Sequence, residues 1–405
     1  MTQPLAGIRV IDLSRALAGP YCTSLLADMG AEVIKVESIN GGDNARQWAP
    51  FDGEHSLYFD SVNRNKRSIC IDFYSDEGHR ILERLIAGAD VLVENFRLGT
   101  LDKLGLTASR LKELSPELIV GSVSGFGLTG PLKDDAGLDQ VVQGMSGLMS
   151  ITGPVGSDGY RLGVSIVDIT SGIVCAFGIA SALAGRAAGH PVSTVSTSLL
   201  ETALNLSVFQ GQRALSLGED PVPQGNDHPT IAPYGTFRTA TEPLNIAVAN
   251  DKQWQAFCGL LGAPDLIDDE RFDTGARRSS HRDELKALVE AILTTRPAAE
   301  WIPIITSADI PCGPISTYTQ VFASPQVAAL GLVHDSRRGD GSALSLLRGP
   351  LSLDQVATTI EAPPPMLGEH TTEVMAELGY SDEEIRQLES ERRIRRREQP
   401  RAETR

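Results

Sequence analysis

Cysteine is scarce and unpatterned in this 405-residue chain. Cys22, Cys70, Cys175, Cys258 and Cys312 are odd in number and never form a C-x-x-C pair. That excludes a disulfide framework and a thiolate zinc site, and it suits reduced thiols in a cytoplasmic protein. The seven histidines lie far apart, with no H-x-x-x-H pair, so no metal site is expected. Positive charge is in deficit, with 36 Lys and Arg against 52 Asp and Glu and a net charge of -16. No partnership with nucleic acid or an anionic membrane follows from such a balance. The opening "MTQPLAGIRV" lacks a basic stretch leading into an apolar run, so no signal peptide is expected. No apolar run approaches the ~18 residues of a membrane span. P-loop and G-x-S-x-G patterns are missing as well. Gly125, Gly127 and Gly130 do spell G-x-G-x-x-G, but Pro131 and "KDDAG" follow where a dinucleotide site needs a helix. Nicotinamide and flavin are therefore not expected.

What is present is alternation. "IRVIDL", "AEVIKVE", "KRSICIDF", "DVLVENF" and "ELIVGSVSG" read as strands, and helical stretches such as "YCTSLLADMG" and "DEGHRILERLIAG" separate several of them. This implies an α/β fold with an open parallel sheet and helices on its faces. Ligands of such sheets sit beyond the carboxyl ends of the strands, which here carry "SRALAGP", "ESINGGDNAR", "ENFRLGT" and "SGFGLTGP". Residues 1–200 are expected to form the first part of a large domain and 201–224 a linker. A smaller α/β domain is expected over 225–325, with 326–405 returning to the large one. Ser381 and Glu384 stand in capping-box spacing, and the tail from Arg392 reads as a solvated, frayed end.

"GVSIVDITSG" places one carboxylate, Asp168, at the mouth of an apolar helix expected from about Thr170. Gly172, Ala176, Ala180 and Ala184 form a small-residue stripe along that helix, and Ile173, Phe177 and Ile179 fill its other sides, as in an interior helix. Two readings of Asp168 stand side by side. An Asp before a helix is commonly a cap. The same geometry suits a nucleophile, ionised by the helix N-terminus and stripped of water by its neighbours. Basic residues at the loops, among them Arg64, Lys66 and Arg67 in "NRNKRS", are solvated surface or, acting together, partners for phosphate.

Six stretches in order, "GIRVIDLSRALAGPYCTSLLADMGAEVIKVE", "NRNKRSICIDF", "ADVLVENFRLGTLDKLGL", "SGFGLTGP", "VSIVDITSG" and "APPPMLGEHTTEVMAELG", resemble the class III CoA-transferases over nearly the whole chain. "SVNRNKRSI", "SGLMSITGP" and "IAPYGTF" are most similar to members that use succinyl-CoA and a second dicarboxylate. The resemblance implies a Rossmann-like large domain built from both chain ends, a smaller domain, and an interlocked homodimer. Coenzyme A thioester would be a substrate, with no permanently bound cofactor and no metal. It implies Asp168 as catalytic nucleophile. It places coenzyme A contacts on Leu17, Ala18, Ile71, Asp72, Phe73, Tyr74, Asn95, Phe96, Arg97, Lys103, Ala136, Gly137, Leu138 and Asp139. Where the family has an arginine after "KVE", this chain has Ser38. The glycine run that closes over the aspartate in the oxalate enzyme is replaced by "QGNDHPT", with Gly225 to Pro229 as a possible lid, so oxalate is not the expected acceptor. A dicarboxylate needs a cation for its second carboxylate, and Arg15, Arg46, Arg64 and Arg161 are the candidates. The rivals are an α-methylacyl-CoA racemase and a non-catalytic CoA-ester-binding protein. The racemase needs a histidine before the aspartate that corresponds to Asp139. Leu138 stands there and cannot shuttle a proton.

Overall fold

In a computed structural model that describes residues 3–397, the strands assemble into one seven-stranded sheet. In chain order they are β1 Arg9–Asp12, β2 Glu32–Ser38, β3 Lys66–Ile71, β4 Val91–Glu94, β5 Ile119–Ser124, β6 Thr194–Ser198 and β7 Ile394–Arg395. Across the sheet the order is β7-β3-β2-β1-β4-β5-β6, and every pair is parallel except β7 with β3. The chain runs outward from β1 in one direction, then returns to its other side at β4. The crevice beyond the ends of β1 and β4 is therefore the topological switch point, where such sheets bind ligands.

Both faces of the central strands are covered, so β1 and β4 turn apolar residues to each side. Val10 of β1 packs with Val33, Val91 and Ile119 against α1 (Ala18–Asp28) and α5 (Ile166–Ala187). Its neighbour Ile11 points the other way, toward Ile81 and Leu85 of α2 (Asp76–Ala87) and Leu111 of α3 (Ala108–Leu114). Gly172 lets α1 and α5 touch closely. A Cβ there would lie 2.6 Å from the Ala18 carbonyl oxygen.

The chain divides into two compact units, 1–148 with 162–215 and 326–405, and 149–161 with 216–325. The second has its own three-stranded antiparallel sheet, Tyr234–Phe237, Leu244–Ala247 and Cys312–Pro314, over a core that includes Trp254, Phe257, Phe272 and Trp301. Within it, the Gly225 amide donates to the Gly153 carbonyl at 2.9 Å.

Six expectations change. The span 201–224 is no plain linker, because α6 (Leu199–Leu206) and α7 (Val208–Leu217) occupy most of it. The excursion 149–161 had no signal in periodicity. α5 starts at Ile166 rather than Thr170, which puts Asp168 in its first turn and not before it. It is also not interior on all sides: Gly172 and Ala176 are buried, but Ala180, Ala184, Ile173, Val174 and Phe177 are exposed. At 22 residues and mean hydropathy 1.9, α5 has the length and composition to cross a membrane, against the reading that no run approaches that; here it packs on α1, β5 and β6. Finally, the tail is not frayed from Arg392: Ile394 pairs with Ile71 at the sheet edge, while residues 398–405 of that expectation lie outside the described residues. The expected capping box at Ser381 and Glu384 is formed.

Candidate active site

Four strand ends meet at the switch point and leave a cleft of about 140 Å³, whose lining includes Ser14, Arg15, Lys35, Asp43, Tyr74 and Phe96. Phe73 also lines it, and Tyr74 is 89% exposed, a ring held out on the strand end. Asn95 does not point a free amide at the cleft. Its Oδ1 accepts from the Arg15 amide at 2.8 Å and its Nδ2 donates to the Arg15 carbonyl at 2.7 Å. The Arg15 guanidinium lies 5.0 Å from the Phe96 ring centre. Leu17 and Ala18 are buried at the start of α1, and Ile71 is buried in β3. Asp72 accepts from the Tyr74 amide at 3.2 Å and shapes that turn. Arg97 and Lys103 are exposed, and Arg97 borders a second groove of about 750 Å³ along β4, β5 and β6.

Under the cleft lies a network of buried charge that sequence reading missed. Lys66 is fully buried, donating to Asp12 at 3.1 Å, the Pro20 carbonyl at 2.8 Å and Asn63 at 2.9 Å. Lys35 reaches Asp43 at 2.9 Å and the Ser14 carbonyl at 2.9 Å. Burial pushes the Asp12 carboxyl up, but Lys35, Lys66 and the hydroxyls of Ser14 and Thr23 overcome it and hold it at about 2. Burial likewise drops Lys66 to about 8 despite Asp12.

This network removes two of the four candidate arginines. Arg46 makes paired bonds of 2.7 Å to Glu37 and stacks on Phe59 at 3.6 Å. Arg64 is buried with Asp28, its Nε 2.9 Å from Oδ1. Both guanidinium groups serve the fold. With Lys66 buried and Arg67 bound to Glu32, Glu373 and Glu377, "NRNKRS" is also no phosphate cradle. The periodicity of a strand start gave no hint that these side chains point inward. Arg161 ends the 149–161 excursion of the second unit.

Asp168 sits half-buried in the first turn of α5, and the helix is capped by a different carboxylate. Asp139, at the start of α4 (Asp139–Met145), accepts from the Val167 amide at 2.9 Å and from the Asp168 amide at 3.4 Å. Its other oxygen accepts from Gln143 at 2.7 Å, and Gln143 takes the Leu162 amide at 2.9 Å. The chain is thus clamped on both sides of "GVSIVD". Asp139 takes the Val167 and Asp168 amides, so its like charge stands close to Asp168 and opposes ionisation there. Burial first, and Asp139 second, raise the Asp168 carboxyl to about 7. Near neutral pH the group is therefore only partly ionised, rather than held fully charged as the helix N-terminus alone would hold it.

Of the other expected contacts, Leu138 is 66% exposed, Ala136 is exposed, and Gly137 abuts Gly125: a Cβ on Gly125 would stand 2.6 Å from the Gly137 amide nitrogen. The glycines of "GFGLTG" therefore serve loop packing. Gly127 and Gly130 take φ of +94° and +91°, the left-handed region that glycine enters freely. Among the described residues no group of three or more His, Cys, Asp or Glu side chains is placed to hold a metal ion.

The chain is similar to known CoA-transferases over most of its length. The chain is 40% identical over 382 residues to the succinate–glutarate CoA-transferase of Agrobacterium fabrum, covering 93% of this chain and 96% of that one. It is 39% identical over 332 residues to the acetyl-CoA:oxalate CoA-transferase of Acetobacter aceti, covering 82% and 85%. The crystal structure of a CAIB/BAIF family protein from Brucella suis superposes with a TM-score of 0.82 at 38% identity, covering 93% of this chain and all of that one. Residues 5–371 match CoA-transferase family III, and the protein belongs to that family of enzymes.

Proposed function

We propose that this protein moves coenzyme A from succinyl-CoA to a second small dicarboxylate, with Asp168 as the covalent nucleophile, as a cytoplasmic enzyme. The observation that carries the reading is Asp168 itself: a half-buried carboxylate, freed from capping by Asp139 and raised to about 7. A carboxylate with little water around it attacks carbonyl carbon readily once ionised. Its oxygen adds to the thioester carbonyl, forming a mixed anhydride and releasing CoA thiolate. The thiolate then attacks the aspartyl carbonyl, giving an aspartyl-CoA thioester and the free donor acid. The acceptor carboxylate attacks that thioester, and the returning thiolate takes the acceptor acyl group and restores Asp168. Charge and atoms balance without ATP or a metal.

The exposed Tyr74, the half-buried cleft aromatics Phe73 and Phe96, and the cations Arg97 and Lys103 suit a nucleotide with phosphates, such as coenzyme A. Arg15 is the exposed cation on the cleft, whereas Lys35 is buried against Asp43, so Arg15 is the better candidate for the unreacting carboxylate. The test is a matrix of donors and acceptors, with new thioesters read by mass. Succinate, glutarate, mesaconate, citramalate, malate, itaconate and oxalate are the acceptors, the last because of the relative named for it. Transfer among diacids is expected, and Arg15→Met should raise KM for diacids about tenfold while monoacids change little. Activity confined to monoacids overturns the dicarboxylate assignment.

We further propose an interlocked homodimer. The first unit exposes Phe177 (73%), Ile173 and Val174 on α5, with Leu204, Val208, Phe209 and Leu215 on α6 and α7. Large exposed apolar side chains gathered on α5, α6 and α7 suit an interface between copies of the chain. Light scattering at micromolar concentration should return twice the chain mass, and a monomer would sink this part of the reading.

A further inference from the structure

The loop from Ser14 to Leu17 joins β1 to α1 and borders the cleft, and it carries an anomaly. Ala16 has φ of +67°, a conformation that an alanine rarely adopts. All three amides that lead into it are held by side chains, one from the end of β1 and two from distant stretches of the unit. The Ser14 amide donates to Asp12 at 2.9 Å, the Arg15 amide to Asn95 at 2.8 Å, and the Ala16 amide to Asp43 at 2.9 Å. The Ser14 and Arg15 carbonyls accept from Lys35 and Asn95. Asp43 is itself 1% exposed and is fixed by Lys35 at 2.9 Å and by the Ala45 amide at 3.0 Å. A strained residue persists only where its surroundings over-determine it.

The geometry points to Asp43 as a positioning residue. By holding the Ala16 amide it keeps that residue left-handed, which sets where Leu17 and Ala18 enter α1 beside α5, the helix that bears Asp168. Asp43 stands in the cleft wall but is 1% exposed, with its oxygens turned to Lys35 and to the Ala16 and Ala45 amides. It acts through the loop, with Lys35 holding its second oxygen. The inference rests on the transferase reading, and it adds a residue that the resemblance does not mark. The sequence signal was faint: an Asp in "GGDNAR" reads as an ordinary turn former.

The test uses the full-length chain and the conformational preferences of residue 16. Ala16 is partly exposed, so valine has room, but a β-branched residue resists positive φ. Ala16→Val should therefore lower kcat/KM for succinyl-CoA by roughly tenfold or more in a protein that still melts cooperatively. Ala16→Gly should stay within about threefold of wild type, because glycine enters that region freely. Asp43→Ala should lose activity as Ala16→Val does, and Asp43→Ala combined with Ala16→Gly should regain most of it. Equal activity of the Val and Gly variants overturns the role of the left-handed conformation. A double variant no better than Asp43→Ala overturns the role of Asp43. A wild-type chain that transfers no CoA overturns the transferase reading and this inference with it.

Discussion

Asp168→Asn should lose at least ~10³-fold in CoA transfer and at the same time become more stable above pH 7. The first effect follows from removing a covalent nucleophile while leaving its shape. The second follows from linkage. A carboxyl raised from 3.8 to about 7 keeps a proton in the folded state that the unfolded chain has already released. Stability of the wild type therefore falls as pH rises from about 4 to about 7, and the deficit is complete above 7. Asparagine carries no such deficit. With solvent screening of a half-buried group, the gain should be ~2 kcal/mol at pH 8 and vanish near pH 4. Urea unfolding at both pH values measures it. The same titration sets the wild-type rate: kcat/KM should rise about tenfold per pH unit below 7 and level off above it, since only the carboxylate attacks. A variant that loses activity together with stability at pH 8 would mean that Asp168 holds the helix together. The bonds from Val167 and Asp168 amides to Asp139 argue against that role.

Asp12→Asn should cost ~3–5 kcal/mol, the largest loss of stability expected from any isosteric change here. Asparagine keeps one acceptor oxygen for the Ser14 amide, but its Nδ2 then faces the Thr23 hydroxyl and Lys66, which had both donated to the lost carboxylate oxygen. What disappears is the one negative charge in contact with Lys66, in a site where Lys35 also lies at 4.0 Å. Two ammonium groups then share a buried pocket in which Asp43, on Lys35, is the nearest remaining carboxylate. Adding Lys66→Met to Asp12→Asn should recover part of the loss, because an uncompensated buried charge is worse than none. Denaturant midpoints at pH 7 decide it. A double variant less stable than Asp12→Asn alone would show that the Lys66 bonds to Pro20 and Asn63 dominate instead.

The two variants differ in how visible their sites are in the sequence. Asp168 stands out because a lone carboxylate in "SIVDIT" breaks an apolar pattern, and the family resemblance gave it a role. Asp12 and Lys66 lie in stretches that read as ordinary strand and basic loop. Nothing local says that Lys66 folds inward, since its three partners come from β1, the first turn of α1 and the chain before β3. The arginines failed in the same way. Arg46 and Arg64 are loop cations by position and buried structural cations by contact.

By itself the sequence determined the alternating α/β class, because strand and helix periodicities are local properties of ten or so residues. It also determined the family, carried by motifs spread over the whole chain. Tertiary structure decided the rest, because those outcomes depend on residues far apart in the chain meeting. It set where α5 begins, through an Asp139 cap 28 residues away from Val167. It set the ionisation of Asp168, through burial and that same Asp139. It also set the strained turn at Ala16, which no property of alanine favours and which Asp43 holds from 27 residues further along.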